Sequence, residues 1–349
     1  MKADDCKPLV EISRGEIVES IHFGAFVVVD SSGQILAGEG NAEMMTYPRS
    51  SMKPLQALPI LEMGVDEAYH LTDQEIAIMC ASHAGTDLHV EVLKRLHEKI
   101  GIGEKDLACG VHMPGDADTR IAMIKAGEKP TPFRHNCSGK HTGMLAQARL
   151  RGLEMKDYLD PQHPVQVTIR ETIADMVEMA PDAMPIGIDG CSAPVYGIPL
   201  KNMALGIAKM ADPSGLGEVR EEACQKITAA MMKHPVMVAG PDKFDTDLMK
   251  AAEGKVFSKG GAEGYQVWGV MPGSMGVDSP GLGIAIKISD GDPQGRARMC
   301  VSLAILKALG VLNDSEMEQL IPEGRIAVRN WRGLDTGEIR PSFTLELQD

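Results

Sequence analysis

The sequence predicts a mixed α/β (α+β) fold, in which strands from both ends of the chain form one sheet and a large helical region lies between them. Segments rich in β-branched residues occur in the first forty residues and again after residue 254. Apolar residues recur at helical spacing over about 51–253, and no repeat, low-complexity tract or Pro/Ser-rich linker divides the chain. We therefore expect residues 1–349 to form a single unit with a helical sub-region at about 51–253.

The elements follow one another in three groups. Residues 25–30 form a β-branched run, 31–33 a turn, and 34–37 a return strand. The apolar spacing then predicts helices at 51–63, 73–81, 87–100, 119–126, 139–151, 164–179, 200–211, 216–232 and 245–253. Late strands are predicted at 255–258, 265–270, 281–288, 325–329 and 342–347, with a helix at 294–310. Thr72 is a good N-cap, because Glu75 stands at the capping-box position.

Composition excludes several classes of partner. The formal net charge is −14 and aromatic residues make up 4% of the chain, so neither a nucleic acid nor an anionic membrane is expected to bind. The longest apolar stretch, 299–312, is interrupted by Lys307 and is too short to cross a bilayer. No signal-peptide pattern is present, and the seven cysteines form no CxxC pair. We expect a cytoplasmic protein with reduced thiols.

Common catalytic signatures are absent from the sequence. It contains no GxGxxG after a strand, no GxxxxGK[ST], no HExxH and no GxSxG. This argues against a dinucleotide enzyme, a P-loop NTPase, a zincin and an α/β-hydrolase. The remaining candidates for catalysis are serine, lysine, cysteine and histidine residues that lie close together in the sequence.

Ser50 and Lys53 form an S-x-x-K pattern at the start of a predicted helix. Residues three apart share a helix face, so a neutral lysine could take the serine proton. Pro54 fits only the first turn of a helix, which places the helix start near Ser50. The alternative is that Ser50 or Ser51 is only a cap and that Lys53 is solvated.

Two further segments could carry catalytic side chains. Ser82 and His83 lie in a turn after a predicted helix, where Gly85 and Thr86 could equally be ordinary helix-end residues. Lys259 stands at a strand end before two glycines, which leave the backbone open to a substrate. The alternative for Lys259 is a glycine-rich surface turn. His89 and His97 lie on a charged helix and are expected to be solvated.

The densest polar stretch, 134–143, leads directly into a helix, and a D-G-C-S-A-P loop follows the apolar run 184–188. Packing does not require so many polar side chains together, so the stretch indicates a site. By spacing, the orthodox soft-metal ligands are His135, Cys137, His141 and Cys191. The two cysteines could instead be buried thiols.

Taken together, the motifs R-S-S-M-K-P, C-A-S-H-A-G, H-N-C-S-G-K-H-T-G, D-G-C-S-A-P and K-G-G-A-E-G resemble the Rhizobium-type (class 3, asparaginase II) L-asparaginase family, from about residue 8 to the C-terminus. The resemblance implies a β-lactamase/glutaminase-like fold with an antiparallel sheet, a homodimer, and hydrolysis of L-asparagine to L-aspartate and ammonia. It implies two Ser-Lys tandems, Ser50 with Lys53 and Ser82 with Lys259. It also implies a zinc site on Cys137, Lys140 and Cys191, which differs from the set that spacing favours.

The substrate needs partners for its two charged groups. Arg49 is a candidate for the α-carboxylate, Asp189 or Glu263 for the α-amino group, and His83 and His135 are further candidates for substrate contact. Backbone N–H groups near Ser50–Ser51 or at Ser82–His83 are expected to stabilise the oxyanion. The alternatives are a penicillin-recognising or glutaminase-type serine hydrolase, and a non-catalytic protein that binds an amino acid or zinc.

Overall fold

The computed structural model describes residues 1–347 and divides into two compact units. One unit consists of Met1–Ser51, Ile198–Asp212 and Asp247–Asp349, and the other of Met52–Gly197 and Pro213–Thr246. Each unit thus combines stretches that are far apart in the sequence. That the whole chain acts as one catalytic unit stays a prediction.

The first unit is built on an antiparallel sheet from both ends of the chain, as predicted. Its strands are β1 (Lys7–Arg14), β2 (Ile17–Asp30), β3 (Ile35–Glu39), β8 (Val256–Gly260), β9 (Tyr265–Val270), β10 (Leu282–Ile288), β11 (Ile326–Arg329) and β12 (Asp335–Pro341). The order is β11-β12-β1-β2-β10-β9-β8, and β3 pairs with β2. Two short strands, β4 (Met45–Thr46) and β7 (Ile198–Pro199), pair separately. Every residue of the central strands β9 and β10 is buried, because helices cover the sheet.

Three helices belong to this unit, namely α8 (Leu200–Ala211), α12 (Arg296–Ala308) and α13 (Asp314–Leu320), and α11 (Phe244–Ala251) ends in it. Helix α8 packs on β2, β9 and β10, and α12 packs on β1, β10 and β12. The predicted strand at 342–347 is wrong, because the last strand ends at Pro341. Its apolar residues suggested a strand, but Phe343 instead packs against Phe26, with ring centroids 4.8 Å apart and ring planes tilted by 48°.

The second unit is mainly helical. Its helices are α1 (Lys53–Glu62), α2 (Val65–Ala68), α3 (Asp73–Met79), α4 (Asp87–Ile100), α5 (Ala117–Ala126), α6 (Ser138–Leu150), α7 (Pro164–Met176), α9 (Glu218–Lys233) and α10 (Pro235–Val238). A hairpin of β5 (Ile186–Ile188) and β6 (Pro194–Tyr196) completes it. Helix α3 packs on α6 and α9, and α1 packs on α6, α7 and α9. Thr72 caps α3 with Glu75, as predicted.

Glycine allows α6 to pack closely against α3. A Cβ atom on Gly139 would lie 2.0 Å from the backbone oxygen of Ile78. Real Cβ atoms do not approach a carbonyl oxygen so closely, so only glycine fits here without a shift of one helix. This contact fixes the start of α6, where the densest polar motif lies.

His89 and His97 are buried, so the expectation that they are solvated is wrong. They are 0% and 3% exposed, because they share one face of α4 with Val92, Leu96 and Ile100. His89 Nε2 lies 2.8 Å from Val236 O, and His97 Nε2 lies 2.9 Å from Thr142 Oγ1. Burial lowers the pKa of both rings, that of His97 to about 4.

Within residues 1–347 the structure shows no helix that combines the length and the apolar character needed to cross a membrane.

Candidate active site

Lys53 is a buried lysine with three polar neighbours. It begins α1 after a 3-10 turn at Arg49–Met52, and Pro54 lies in the first turn, as predicted. The side chain is 1% exposed. Its Nζ donates to Ser82 Oγ at 2.9 Å, to Ala81 O at 2.5 Å and to Cys137 Sγ at 3.1 Å. Because an ammonium group is costly to bury without partners, this environment excludes a solvated Lys53.

Ser82 is the hydroxyl that Lys53 reaches. It lies just beyond the end of α3 and is half-buried, and its Oγ contacts the buried amine. A hydroxyl beside a lysine amine is the arrangement that an activated serine nucleophile requires. The resemblance implied Ser50 with Lys53 and Ser82 with Lys259, and a Lys53–Ser82 pair was not among these expectations.

Three of the N–H groups proposed for the oxyanion are already engaged. Ser82 N donates to Val238 O at 2.9 Å, His83 N to Asn136 O at 3.2 Å, and Ser51 N to Pro48 O at 3.0 Å. The expectation that these three groups stabilise an oxyanion is therefore wrong for the structure as it stands. The physical reason is that neighbouring backbone segments hold both turns in place through these same N–H groups.

His83 holds the Ser82 turn against the start of α6. Gly85 N donates to His83 Nδ1 at 3.1 Å, so the neutral ring carries its proton on Nε2. Nε2 lies 2.8 Å from Ser138 Oγ, which in turn donates to Phe133 O at 3.2 Å. Burial, with a smaller effect from His89, keeps the pKa of His83 well below its usual value. Both ring nitrogens are thus used inside the fold, and substrate contact by His83 stays a prediction.

Cys137, Lys140 and Cys191 form a buried cluster, which we call the cysteine–lysine cluster. Cys137 directly precedes α6, Lys140 lies in the first turn of that helix, and Cys191 lies in the loop between β5 and β6. Lys140 Nζ donates to Cys191 Sγ at 3.0 Å, and the two thiols are hydrogen-bonded to each other. The D-G-C-S-A-P motif forms a loop after strand β5, as predicted. Through Cys191 this loop contacts the polar motif at the start of α6.

The cluster favours one ionised thiol. The hydrogen bond with Cys191, together with the cations of Lys53 and Lys140, holds the pKa of Cys137 well below its usual value despite burial. The same hydrogen bond, with burial, raises the pKa of Cys191. Burial opposes charge on Lys140, but the two sulfur atoms outweigh burial and raise its pKa. The lysines therefore stabilise a negative charge on sulfur.

The resemblance implies a zinc ion on the cysteine–lysine cluster, and this stays a prediction. In the part of the chain that the structure describes, no three His, Cys, Asp or Glu side chains are arranged to hold a metal. The four side chains of the set that spacing favoured do not converge in the described residues; His135 Nδ1 accepts from Cys137 N at 3.0 Å, and His141 Nδ1 lies 2.6 Å from Tyr158 OH. Two thiols and one amine in contact fit a zinc ion if Lys140 loses its proton.

Asp189 borders this cluster. Its Oδ1 accepts from Gly190 N at 2.7 Å, and its negative charge is among the groups that raise the pKa of Lys140. Ser192 in the same loop has a φ of 69°, in the left-handed region that non-glycine residues rarely adopt. The loop is therefore held in a strained form, as loops at functional sites often are.

The remaining predicted residues lie in the first unit. Ser51 Oγ donates to Lys259 O at 2.9 Å, and a Cβ atom on Gly261 would lie 2.5 Å from Pro48 O. The turn that carries Arg49 and Ser50 thus packs against the strand end that carries Lys259. Arg49 and Glu263 have φ values of 54° and 59°, so both ends of this contact are strained. Lys259 is buried, which excludes a surface lysine.

Sequence reasoning missed several groups that hold the site in place. Val238 O and Asn136 O anchor the Ser82 turn, and Ser138 anchors His83. Asn136 and Ser138 stand inside the polar motif, so their position in the sequence was a usable signal. Val238 acts through its backbone oxygen and left no signal in the sequence.

Comparisons with known proteins place these motifs in context. The family profile described as L-asparaginase II matches residues 10–341. No curated protein matches the chain. Among solved structures, a probable glutaminase from Bacillus subtilis is 11% identical, with a TM-score of 0.40, over 83% of this chain and 89% of that chain. The protein Mglu is also 11% identical, with a TM-score of 0.35, over 83% of this chain and 68% of that chain.

Proposed function

The chain belongs to the L-asparaginase II family, an amidohydrolase family, and on this premise we propose that it hydrolyses L-asparagine to L-aspartate and ammonia. The observation that carries the proposed chemistry is the Lys53–Ser82 pair, in which a buried amine lies 2.9 Å from a half-buried serine hydroxyl. An amide carbon needs a strong nucleophile, and a serine next to a neutral amine supplies one.

The first proposed step starts from the form in which the proton shared by Lys53 and Cys137, whose Nζ and Sγ atoms lie 3.1 Å apart, is on sulfur, so that the neutral amine of Lys53 takes the proton of Ser82 Oγ. The oxygen attacks the side-chain carbonyl carbon of asparagine, and the protonated Lys53 then returns the proton to the leaving nitrogen as ammonia departs. The result is an aspartyl ester on Ser82. The contact of Lys53 with Ala81 O supports this role, because it holds the amine in place on the serine side.

In the second proposed step, water hydrolyses the ester. Lys53, neutral again after the loss of ammonia, accepts a proton from the attacking water and returns it to Ser82 Oγ. The product L-aspartate then leaves. His83 contributes by fixing the turn that carries Ser82, through its contacts with Gly85 and Ser138.

We propose that Ser50 and Lys259 also take part in catalysis, although the resemblance pairs Ser50 with Lys53 and Ser82 with Lys259. What supports them is the contact of their segments within the first unit and the burial of Lys259. Arg49 remains our candidate for the substrate α-carboxylate, with Asp189 or Glu263 for the α-amino group and His135 for a further contact. These residue types match the charges of a free amino acid.

We propose that Cys137, Lys140 and Cys191 hold a zinc ion. Zinc bound there would orient the substrate and fix the 189–193 loop relative to α6. The support is the mutual contact of two thiols and one amine, a soft donor set that suits zinc. Binding must release the Lys140 proton, so occupancy is expected to rise with pH.

Removal of zinc with a chelator is expected to raise KM for L-asparagine and to leave kcat largely intact. The reason is that the Lys53–Ser82 pair supplies the nucleophile, whereas the metal would order the neighbouring loop. Steady-state kinetics before and after dialysis, with bound metal measured by elemental analysis, checks this. Complete loss of turnover that returns with added zinc would contradict it and place the metal in the chemical step.

An ammonia-release assay with L-asparagine and L-glutamine tests the proposed function. We expect a higher kcat/KM for L-asparagine, because one extra methylene moves the amide away from a fixed nucleophile. Turnover of L-glutamine alone would identify a glutaminase-type hydrolase. Saturable binding of L-asparagine without ammonia would identify a binding protein, and turnover of nitrocefin a penicillin-recognising enzyme.

We also propose a homodimer in the cytoplasm, as the resemblance and the cysteine usage suggest. In support, the described residues contain no disulfide although the chain has seven cysteines. Light scattering on the purified protein tests the dimer, and a monomer mass across the working concentration range would contradict it.

A further inference from the structure

We propose that Cys137 and Cys191 form a reversible disulfide when a hydroperoxide oxidises the protein, which makes the cysteine–lysine cluster a modification site. This inference rests on the arrangement of the two thiols and does not depend on which substrate the enzyme hydrolyses. The structure shows both residues as thiols, so the disulfide would be a second state of the same cluster.

The geometry brings the two sulfur atoms together from separate elements. Lys140 Nζ, in the first turn of α6, donates to Cys191 Sγ of the 189–193 loop at 3.0 Å, and Cys137 begins the same turn, where its thiol interacts with that of Cys191. Cys137 is held in place because its N–H donates to His135 Nδ1 at 3.0 Å. A disulfide requires the two Cα atoms to lie within about 7 Å, so any small adjustment must come from the Cys191 side.

The loop that carries Cys191 can supply that adjustment. Gly190 is exposed, and a Cβ atom on it would meet nothing within 4 Å. Ser192 is exposed and sits in the left-handed region, a conformation that costs of order 1–3 kcal/mol for non-glycine residues and that a shift of the loop can relieve. Neither neighbour of Cys191 in the loop is held by close packing, so the loop can shift.

Both thiols are buried, so a small oxidant has to enter when the 189–193 loop shifts. Cys191 lies between the two exposed residues Gly190 and Ser192, so it is one residue away from solvent. On the other side, Lys53 Nζ touches both Cys137 Sγ and the half-buried Ser82. The other described thiols offer no such pair. Cys224, for example, is fully buried, and burial raises its pKa to about 12, which keeps it protonated and unreactive.

The oxidation balances with one hydroperoxide molecule. One thiol attacks the peroxide oxygen, giving a sulfenic acid and releasing water from hydrogen peroxide. The second thiol attacks this sulfur, the S–S bond forms, and a second water leaves. The two sulfurs together lose two electrons and two protons, and the peroxide is reduced to two waters. A thiol reductant reverses the process.

The disulfide would remove both sulfur ligands from the cluster. Lys140 would lose the thiol that it contacts at 3.0 Å, and Lys53 would lose the thiol neighbour at 3.1 Å. A metal ion could no longer bind, because a disulfide sulfur is a poor ligand compared with a thiolate. We therefore expect oxidised protein to bind no zinc until it is reduced.

The test treats the full-length protein with hydrogen peroxide, both as purified and after dialysis against a chelator, followed by denaturation, alkylation and mass analysis. We expect a product two hydrogens lighter, a cross-linked peptide pair containing Cys137 and Cys191, and five instead of seven alkylated cysteines in at least one sample. Dithiothreitol should restore all seven. Because the readout is mass, the result stands whether or not L-asparagine is the substrate.

Variants make the assignment specific. Cys137→Ser and Cys191→Ser should each abolish the cross-link, whereas Cys224→Ser, a buried thiol in the same unit, should keep it. Two alkylatable thiols at 137 and 191 in both treated samples would overturn the proposal. So would a product heavier by one oxygen and lighter by two hydrogens that maps to Lys140 and Cys191, because it would indicate a bond between lysine and cysteine through oxygen.

Discussion

Replacement of Ser82 by alanine is expected to lower kcat for ammonia release from L-asparagine by about a thousandfold or more. The reason is that Ser82 Oγ is the hydroxyl in contact with the buried amine of Lys53, at 2.9 Å. The fold should be kept, because the backbone N–H of Ser82 still donates to Val238 O. Steady-state kinetics with circular dichroism of the purified variant measures both effects.

Lys53→Met should cause a loss of similar size, and the double variant should be no worse than the single ones, because the two residues act as a unit. Ser32→Ala, an exposed serine in a turn after β2, serves as the control and should keep full activity. Near-normal turnover by Ser82→Ala, with turnover abolished by Ser50→Ala, would transfer the nucleophilic role to Ser50.

Gly139→Ala is expected to lower the free energy of unfolding by about 3 kcal/mol. This is the upper end of the usual cost of forcing an extra carbon atom into a well-packed core. The new methyl carbon would lie 2.0 Å from Ile78 O and 2.7 Å from Ile78 C, and neither backbone atom can move without the rest of α3. The gain of about 1 kcal/mol from replacing glycine by alanine inside a helix offsets only part of this cost. Urea denaturation followed by circular dichroism gives the difference.

Gly190→Ala is the matched control for this substitution. No atom lies within 4 Å of a Cβ at Gly190, and its φ is outside the left-handed region, so we expect a change within about 0.5 kcal/mol. Equal stability of the Gly139 and Gly190 variants would show that α3 and α6 do not pack as closely as described.

Local patterns predicted those elements whose own residues determine their form. The strand at 265–270 and the helices at 87–100 and 200–211 are confirmed at both ends. Their periodicity is strong, and Thr86 precedes the helix at 87–100 as a residue typical of a helix start. The final strand, 335–341, was missed because it is half-exposed and polar, and it depends on pairing with β1 and β11.

The candidate site was predicted as a set of motifs but not as a set of contacts. Lys53, Ser82, Cys137 and Cys191 were all identified from the sequence, because polar and nucleophilic residues at those spacings have no packing role. The lysine that meets Ser82 depends on how α1 and the turn after α3 pack, which no short motif encodes. For the same reason, Asn136 O and Val238 O could not be predicted to occupy the backbone N–H groups of the Ser82 turn.

The central claim is that Ser82, activated by Lys53, attacks the amide of L-asparagine. Its most direct test is labelling with a diazoketone analogue of L-asparagine, which alkylates the nucleophile that it meets in the position of the amide, followed by peptide mapping. We predict one label on Ser82 in the wild-type protein, which excess L-asparagine prevents and which Lys53→Met abolishes. A label on Ser50 or Cys137, or no label on an enzyme that releases ammonia, would contradict the account.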